Sequence, residues 1–211
     1  MCGNSGVGKT SIISKYINGT LPDKVVVPTI SVELCTKIIT LRNGTQMKAQ
    51  IWDTAGQEKY QSLSSNYFKR SQGILIVFDI TNKNSFNDVK NWVKMITDVT
   101  NEKCILYLVG NKKDLEDKRQ VSVEAAKKFS KENGITKYIE TSIFDNDNTI
   151  DKVFFDLLYN IDKMQSMTMG KYTHTQESQN RSMMLGGNNI QSNQKMNVSY
   201  NTDSNLQCSC C

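Results

Sequence analysis

The stretch GNSGVGKT at residues 3–10 decides the fold, because it has the spacing of a phosphate-binding loop. Gly3, Gly8, Lys9 and Thr10 match the pattern of a glycine, four residues, then glycine, lysine and serine or threonine. The glycines allow the backbone to aim N–H groups inward, while the lysine would pair with the β and γ phosphates and the threonine hydroxyl with Mg²⁺. The motif therefore predicts phosphate binding, with an ordinary glycine-rich turn as the alternative.

A helix is predicted to begin directly after this loop. Ile12, Ile13, Tyr16 and Ile17 recur at helical spacing, and Gly19 can end the helix. The unpaired N–H groups at a helix N-terminus favour anions, so bound phosphates would lie against this end.

Strand and helix patterns alternate through the first 162 residues. ISVELCTKIITL and TQMKAQIW are predicted to pair as a hairpin across Asn43 and Gly44. Further strands are predicted at 73–80, 104–110 and 137–142, and helices around 85–99, 122–133 and 148–162. The continuous apolar strands indicate an α/β fold with a mostly parallel sheet, an antiparallel hairpin at its edge and flanking helices. Loops at one edge of such a sheet bind ligands.

Two predicted loops carry residues suited to a metal ion and a terminal phosphate. In WDTAGQEKY, the carboxylate of Asp53 can hold Mg²⁺, the Gly56 N–H can approach a phosphate, and the Gln57 amide can orient an attacking water. In VPTIS, the hydroxyl and carbonyl of Thr29 could close over Mg²⁺ and a γ-phosphate. Taken singly, each of these is also compatible with an ordinary loop residue.

The NKKD stretch at 111–114 predicts a preference for guanine. Guanine presents adjacent N1–H and N2–H donors that the Asp114 carboxylate can accept together, whereas adenine does not. Asn111 could bridge the base and its supporting loops, and the stem of Lys112 could lie along the purine face. In ETSIF, the backbone N–H after Ser142 could donate to the guanine carbonyl. An isolated NKKD is more often a solvated turn.

Composition argues against several other classes. The net charge of +5 is dispersed, with no arginine cluster, so no nucleic-acid partner is predicted. The only histidine, His174, lies late in the chain, which argues against a histidine-dependent triad or a histidine-ligated metal in the core. Cys2, Cys35 and Cys104 are scattered and are interpreted as free thiols. The apolar runs are too short to span a bilayer and no signal segment is present, so we expect an intracellular protein.

The motifs GNSGVGKTS, PTIS, WDTAGQE, GNKKD and ETS, in this order, resemble the five signature loops of small GTPases of the Ras superfamily across residues 3–162. WDTAGQEKY and the following SSNYFKRSQG are most similar to the Rab branch. The resemblance implies the P-loop NTPase fold and a GTP-binding, GTP-hydrolysing switch in vesicle traffic, slow without an activating protein. It also implies an exchange factor and effectors that recognise the GTP-ordered loops.

The resulting site assignment has three parts. The catalytic candidate is Gln57, and the Mg²⁺ candidates are Thr10, Thr29 and Asp53. The candidates for binding GTP or GDP are Ser5, Gly6, Val7, Gly8, Lys9, Thr10, Ser11, Thr29, Gly56, Asn111, Lys112, Asp114, Ser142 and Ile143.

Residues 163–211 are rich in Asn, Gln, Ser and Met and are predicted to be a disordered tail behind a domain at 1–162. The terminal CSCC resembles the double-cysteine ending of Rabs, which implies prenyl groups on Cys210 and Cys211 and prenyl-binding escort proteins. Two lipids give stable anchoring. We therefore expect the protein on the cytoplasmic face of intracellular membranes, cycling with the cytosol.

The sequence departs from the family pattern at four loop positions. Ser31 replaces a usual glycine and Leu34 a usual aromatic effector contact, which leaves effector preference open. Ile143 and Phe144 replace the usual alanine and lysine after ETS. Because the lysine's packing is lost, weakened nucleotide affinity is predicted.

The largest departure precedes the phosphate loop, where the family has a hydrophobic central strand and this chain has only Met1 and Cys2. Such a strand would contribute about 5–10 kcal/mol of apolar burial, against a total of about 5–15 kcal/mol for whole domains. We therefore expect that nothing in this chain positions the loop and that the sequence is part of a longer protein. The alternative function is a non-cycling, nucleotide-deficient binding module or fragment.

Overall fold

A computed structural model describes residues 1–20, 29, 32–54, 66–100, 104–145 and 147–184, with side chains as far as residue 167. Five strands are described: β1 Glu33–Thr40, β2 Gln46–Asp53, β3 Gly73–Asp79, β4 Ile105–Asn111 and β5 Lys137–Thr141. The described helices are α1 Lys9–Asn18, α2 Lys83–Asn87, α3 Val89–Thr97, α4 Val123–Glu132 and α5 Thr149–Met184, with a 3₁₀ helix at Lys113–Lys118 and a helical turn at 66–69. These elements confirm the α/β prediction.

The strands form two described sheets. β1 and β2 pair antiparallel as the predicted hairpin, with Leu34 opposite Trp52 and the turn made possible by Gly44 at φ 82°. β3, β4 and β5 pair in parallel in that order, with Leu108 opposite both Ile76 and Tyr138. Their carboxyl ends therefore meet at one edge.

The core lies on both faces of the parallel sheet, because β3 is buried along nearly its whole length. Ile74, Ile76 and Phe78 face one apolar cluster, which includes Trp92 of α3. Leu75 and Val77 face the other cluster, to which α1 and α5 contribute. Burial on both faces explains why the strand is continuously apolar.

Met1 and Cys2 lie between the two sheets. The Met1 ammonium donates to the Trp52 carbonyl at 2.8 Å, and its own carbonyl accepts the Thr54 hydroxyl at 2.7 Å. Cys2 forms a parallel bridge with Ile76, through bonds of 3.0 Å to the Leu75 carbonyl and 2.8 Å from the Val77 N–H. The expectation that nothing in the chain positions the phosphate loop is therefore wrong, since these two residues fix its start.

A groove of about 1010 Å³ extends from Met1 between β2, β3 and α5. Among the described residues, the two sheets share no strand pairing. Backbone hydrogen bonds of Met1 and Cys2 link them, and Ile51 of β2 belongs to the same apolar cluster as Leu75 and Val77 of β3.

The helices lie where the sequence predicts them, but their lengths differ from the predicted lengths. The helix predicted around 85–99 is divided at Asp88 into α2 and α3, and the Asn82 side chain caps α2 by accepting two backbone N–H groups. The helix predicted around 148–162 continues to Met184. Residues 163–184 contain no proline and many good helix formers, which explains the longer helix.

The predicted domain bounds of 1–162 and 163–211 stay a prediction. The chain divides into two compact units, Met1–Met169 and Gly170–Cys211. Helix α5 extends to Met184 within the tail segment, residues 185–211 lie outside the described part, and the disordered tail stays a prediction. In the described part, no helix has the length and apolar character needed to cross a membrane.

Candidate nucleotide-binding site

A cavity of about 350 Å³ lies at the carboxyl edge of the parallel sheet and at the start of α1. It is lined by Ser5, Gly6, Gly8, Lys9, Thr10, Ser11, Thr29, Asn111, Lys112, Asp114, Leu115, Ile143 and Phe144. The fold thus brings the phosphate loop together with the two distant loops assigned to the base.

The phosphate loop wraps around a buried cation. The Lys9 ammonium donates to the Gly3 carbonyl at 2.8 Å and to the Asn4 carbonyl at 2.9 Å. Burial lowers the pKa of Lys9, and the nearby charge of Asp53 opposes that shift. Within the described ranges no carboxylate is hydrogen-bonded to this cation. Next to the N-terminus of α1, it provides a strong attraction for an anion.

Gly8 is required at its position for two reasons. It has φ 95°, in the left-handed region, at the N-cap of α1. A Cβ there would also collide with the side-chain amide of Asn111. A larger residue would therefore separate the phosphate loop from the loop after β4.

Three oxygen-bearing side chains converge beside Lys9. The Thr10 hydroxyl donates to Asp53 Oδ2 at 2.6 Å and lies 2.7 Å from the Thr29 hydroxyl. Asp53 Oδ1 is buried and has no hydrogen-bond partner among the residues that the structure describes. Hydroxyl and carboxylate oxygens are the ligands that Mg²⁺ prefers, and an unpaired buried oxygen fits an ion or its water. The residues present therefore fit a magnesium ion.

Asn111 connects the phosphate loop to the base loops. Its amide donates to the Val7 carbonyl at 2.9 Å, and its oxygen accepts the Thr141 hydroxyl at 3.1 Å. Asn111 and Thr141 are both buried. Because every bond is made in the interior, this side chain fixes the spacing between the two halves of the cavity.

The position of Lys112 is fixed by its backbone conformation and by an ion pair with Asp79. Its φ of 66° is left-handed, and its ammonium lies 2.6 Å from Asp79 Oδ2. Burial would raise the pKa of Asp79, but hydrogen bonds from Lys112 and Thr81 outweigh burial and hold that pKa below its usual value. The lysine stem is thereby aligned along one wall of the cavity.

Ser142 organises the remaining wall. Its hydroxyl donates to Asp114 Oδ1 at 2.6 Å and accepts the Phe144 N–H at 3.0 Å. These bonds orient the carboxylate and bring Ile143 and Phe144 to the cavity. The predicted weakening of affinity through these two residues stays a prediction.

The structure places most of the assigned residues at the cavity, and the others either contact lining residues or lie outside the described residues. Val7, Asp53 and Ser142 contact lining residues through hydrogen bonds without lining the cavity. Gly56, Gln57, Cys210 and Cys211 lie outside the described residues.

Sequence reasoning missed Asn4, Leu115, Thr141 and, as a lining residue, Phe144. Leu115 follows NKKD and Thr141 lies within ETS, so their neighbourhood was a usable signal. Asn4 occupies a free position of the phosphate-loop pattern, which gives no signal.

The Ras family model matches residues 1–163. The chain belongs to the Ras family. It is 35% identical to the GTP-binding protein YPT1 of Saccharomyces cerevisiae over 88% of this chain and 89% of that protein. It is 38% identical to Ras-related protein Rab-12 of Mus musculus over 75% of this chain and 64% of that protein, so it spans less than two thirds of that relative. It is 37% identical to Ras-related protein Rab-8A of Pongo abelii over 76% of each chain.

This Ras-family chain is a Rab-like GTPase that binds and hydrolyses GTP and regulates vesicle traffic. Ras-family GTPases bind GTP and GDP, generally with Mg²⁺, and act with regulators and effectors. Rab homologues are associated with intracellular membranes.

Proposed function

We propose that the cavity at the start of α1 holds GTP or GDP with Mg²⁺ and that the chain acts as a membrane-tethered switch. The observation that carries this proposal is the convergence of Thr10, Thr29 and Asp53 beside the buried ammonium of Lys9. One buried oxygen of the Asp53 carboxylate has no partner in the described part of the chain. Phosphates with a bound metal ion provide a cation for the oxygen atoms of Thr10, Thr29 and Asp53 and an anion for the ammonium of Lys9.

Each wall of the cavity has a separate role. Lys9 and the backbone N–H groups of the phosphate loop bind the β and γ phosphates, and the Gly56 N–H approaches the terminal one. Asp114 accepts the N1–H and N2–H of guanine because Ser142 holds its carboxylate in place. The Ile143 N–H donates to the guanine carbonyl, and the stem of Lys112 lies on the purine face.

During hydrolysis, some residues position the reacting groups and others hold the metal ion that stabilises charge. Mg²⁺, when bound, neutralises charge that develops on the β and γ phosphate oxygens. Thr10 and Thr29 hold their hydroxyls toward that position, and Asp53 contributes a carboxylate. Gln57 orients the attacking water with its neutral amide, and no group needs a perturbed pKa for this role.

The effector surface lies on the β1–β2 hairpin. Leu34 is 43% exposed and pairs across the hairpin with Trp52, whose ring is 4.9 Å from that of Tyr67. An exposed leucine beside two aromatic rings forms an apolar surface suited to a partner protein. We assign effector contact to this surface.

Membrane attachment is assigned to the end of the tail. Prenyl groups on Cys210 and Cys211 would hold the protein on the cytoplasmic face of intracellular membranes, and escort proteins that bind both lipids would return it to the cytosol. The exchange factor and activating protein would reset the nucleotide state at these membranes.

The deciding experiment measures bound nucleotide and hydrolysis on the full chain. Nucleotide extracted from the purified protein and separated by chromatography is expected to be GDP or GTP. Gln57→Leu is then expected to retain GTP while its single-turnover hydrolysis rate falls at least about tenfold. Gln50→Leu, an exposed change on β2, is the matched control and leaves the rate unchanged.

A non-cycling binding module is the competing function. A chain that folds, as judged by circular dichroism, yet contains no nucleotide and takes up none with Mg²⁺ would support that function and contradict the switch. Bound nucleotide with a hydrolysis rate unaffected by Gln57→Leu would remove Gln57 from its role.

A further inference from the structure

Asn4 connects the phosphate loop to helix α3. Its side-chain amide donates to Asp88 Oδ2 at 2.6 Å, and its side-chain oxygen accepts the Trp92 indole N–H at 2.9 Å. Trp92 of α3 is buried in the apolar cluster that includes Ile74, Ile76 and Phe78 of β3, and Asp88 is the N-cap of α3. The start of the loop is therefore tied to the core by two side-chain bonds.

The same residue also fixes the position of the lysine. The Asn4 carbonyl accepts the Lys9 ammonium at 2.9 Å, next to the Gly3 carbonyl at 2.8 Å. A displacement of Asn4 therefore displaces one of the two acceptors that hold the ammonium. The N-cap of α1 has no side-chain hydrogen bond that could compensate.

The far end of the loop has its own anchor, which acts independently. The Val7 carbonyl is held by Asn111, on the side of the base loops. Asn4 is on the other side, toward α3, and no base-loop residue is among its recorded hydrogen-bond partners in the described part of the chain. Loss of Asn4 should thus disturb the phosphate end of the cavity and leave the base end in place.

We propose that Asn4 is a positioning residue that holds the phosphate loop and Lys9 in register through Asp88 and Trp92. This inference rests on the proposed function, because the positions of the phosphate loop and of Lys9 matter for binding phosphates.

The test exchanges the amide of Asn4 and the carboxylate of Asp88. Asn4→Asp places a carboxylate against Asp88 and breaks the bond at 2.6 Å, whereas Asn4→Asp combined with Asp88→Asn restores a donor and an acceptor to the pair. Asn43→Asp is the matched control, because the exposed Asn43 amide lies 3.4 Å from Asp162 Oδ2. The full-length protein with Mg²⁺ is titrated with GDP and with guanosine, which has no phosphate.

Asn4→Asp is expected to weaken GDP binding about tenfold or more, since a partly buried hydrogen bond between two polar side chains is broken, and to leave guanosine binding unchanged. The double variant is expected to return GDP affinity to within about threefold of the parent, as coupled pairs do. Equal loss for GDP and guanosine, or no rescue by the swap, would overturn the assignment.

Failure of the proposed function has a different signature. A parent protein and an Asn43 control that both fail to bind GDP would contradict nucleotide binding itself and remove the basis of the assignment. A parent and control that bind GDP, with Asn4→Asp indistinguishable from them, would overturn the role of Asn4 alone.

Discussion

Phe144 places an aromatic side chain at the wall of the nucleotide cavity where the family usually has a lysine. The ring is 61% exposed although it lines the cavity, and the bond from its N–H to Ser142 fixes its backbone. An apolar ring left open to solvent beside a purine site can stack on the base.

Replacement of Phe144 measures this contact. Phe144→Ala is expected to raise the dissociation constant for GDP about tenfold, because stacking of a base on an aromatic ring contributes about 1–3 kcal/mol. Titration calorimetry with Mg²⁺ present checks the value. Tyr159→Ala, which removes a partly exposed ring on α5, is the control and should leave affinity unchanged. An unaltered constant for Phe144→Ala would show that the ring does not contact the base.

At the scale of secondary-structure elements, an ion pair between Asp79 and Lys112 connects the carboxyl ends of β3 and β4. The carboxylate of Asp79 ends β3, is nearly buried, and accepts bonds from the Lys112 ammonium, the Thr81 N–H and the Thr81 hydroxyl. Its lowered pKa means that the folded protein binds the proton of this group less readily than the unfolded chain does. The group therefore stabilises the fold when it is ionised.

The pH dependence of stability has a definite sign. The contribution of Asp79 is fully present above the usual aspartate value of 3.8 and is lost as the pH falls through the lower folded-state pKa. Asp79→Asn is expected to lower the free energy of unfolding by about 1–2 kcal/mol at pH 7, a value reduced because Lys112 is one third exposed. Urea unfolding from pH 7 downward should show this difference shrinking below about pH 4.

The control for this experiment is Asp151→Asn, which alters an exposed carboxylate 3.9 Å from Lys37. It should change stability little at any pH. A difference between Asp79→Asn and the parent that stays constant through the acid range would contradict the assigned role of Asp79.

Elements whose signal is local could be predicted from sequence, and contacts between elements could not. The hairpin at Gly44, the buried strands β3 and β4 and the cavity loops follow from periodicity and motifs, and the structure has them in those places. The bonds from Asn4 to Trp92 and from Asn111 to Thr141 join residues far apart in sequence. No spacing rule encodes such pairs, because they depend on how packed elements meet.

At the scale of the whole molecule, the nucleotide domain and the proposed lipidation signal lie in opposite parts of the sequence. The cavity lies within Met1–Met169, and α5 continues to Met184. Residues 185–211, which include the proposed lipidation sites, lie outside the described residues. Membrane attachment and nucleotide state can then be altered separately.

The last prediction separates these two properties. Cys210→Ser combined with Cys211→Ser is expected to shift the protein from the membrane pellet to the supernatant of fractionated cells, because both lipids are lost. Either single change should give intermediate, reversible partitioning, since one chain binds only with about 10⁴ M⁻¹. The GDP affinity of the double variant should equal that of the parent, and Ser209→Ala is the control that should leave both properties unchanged. Membrane partition unaffected by the double change would disprove the anchor, whereas a parallel loss of GDP affinity would show that the tail supports the nucleotide site.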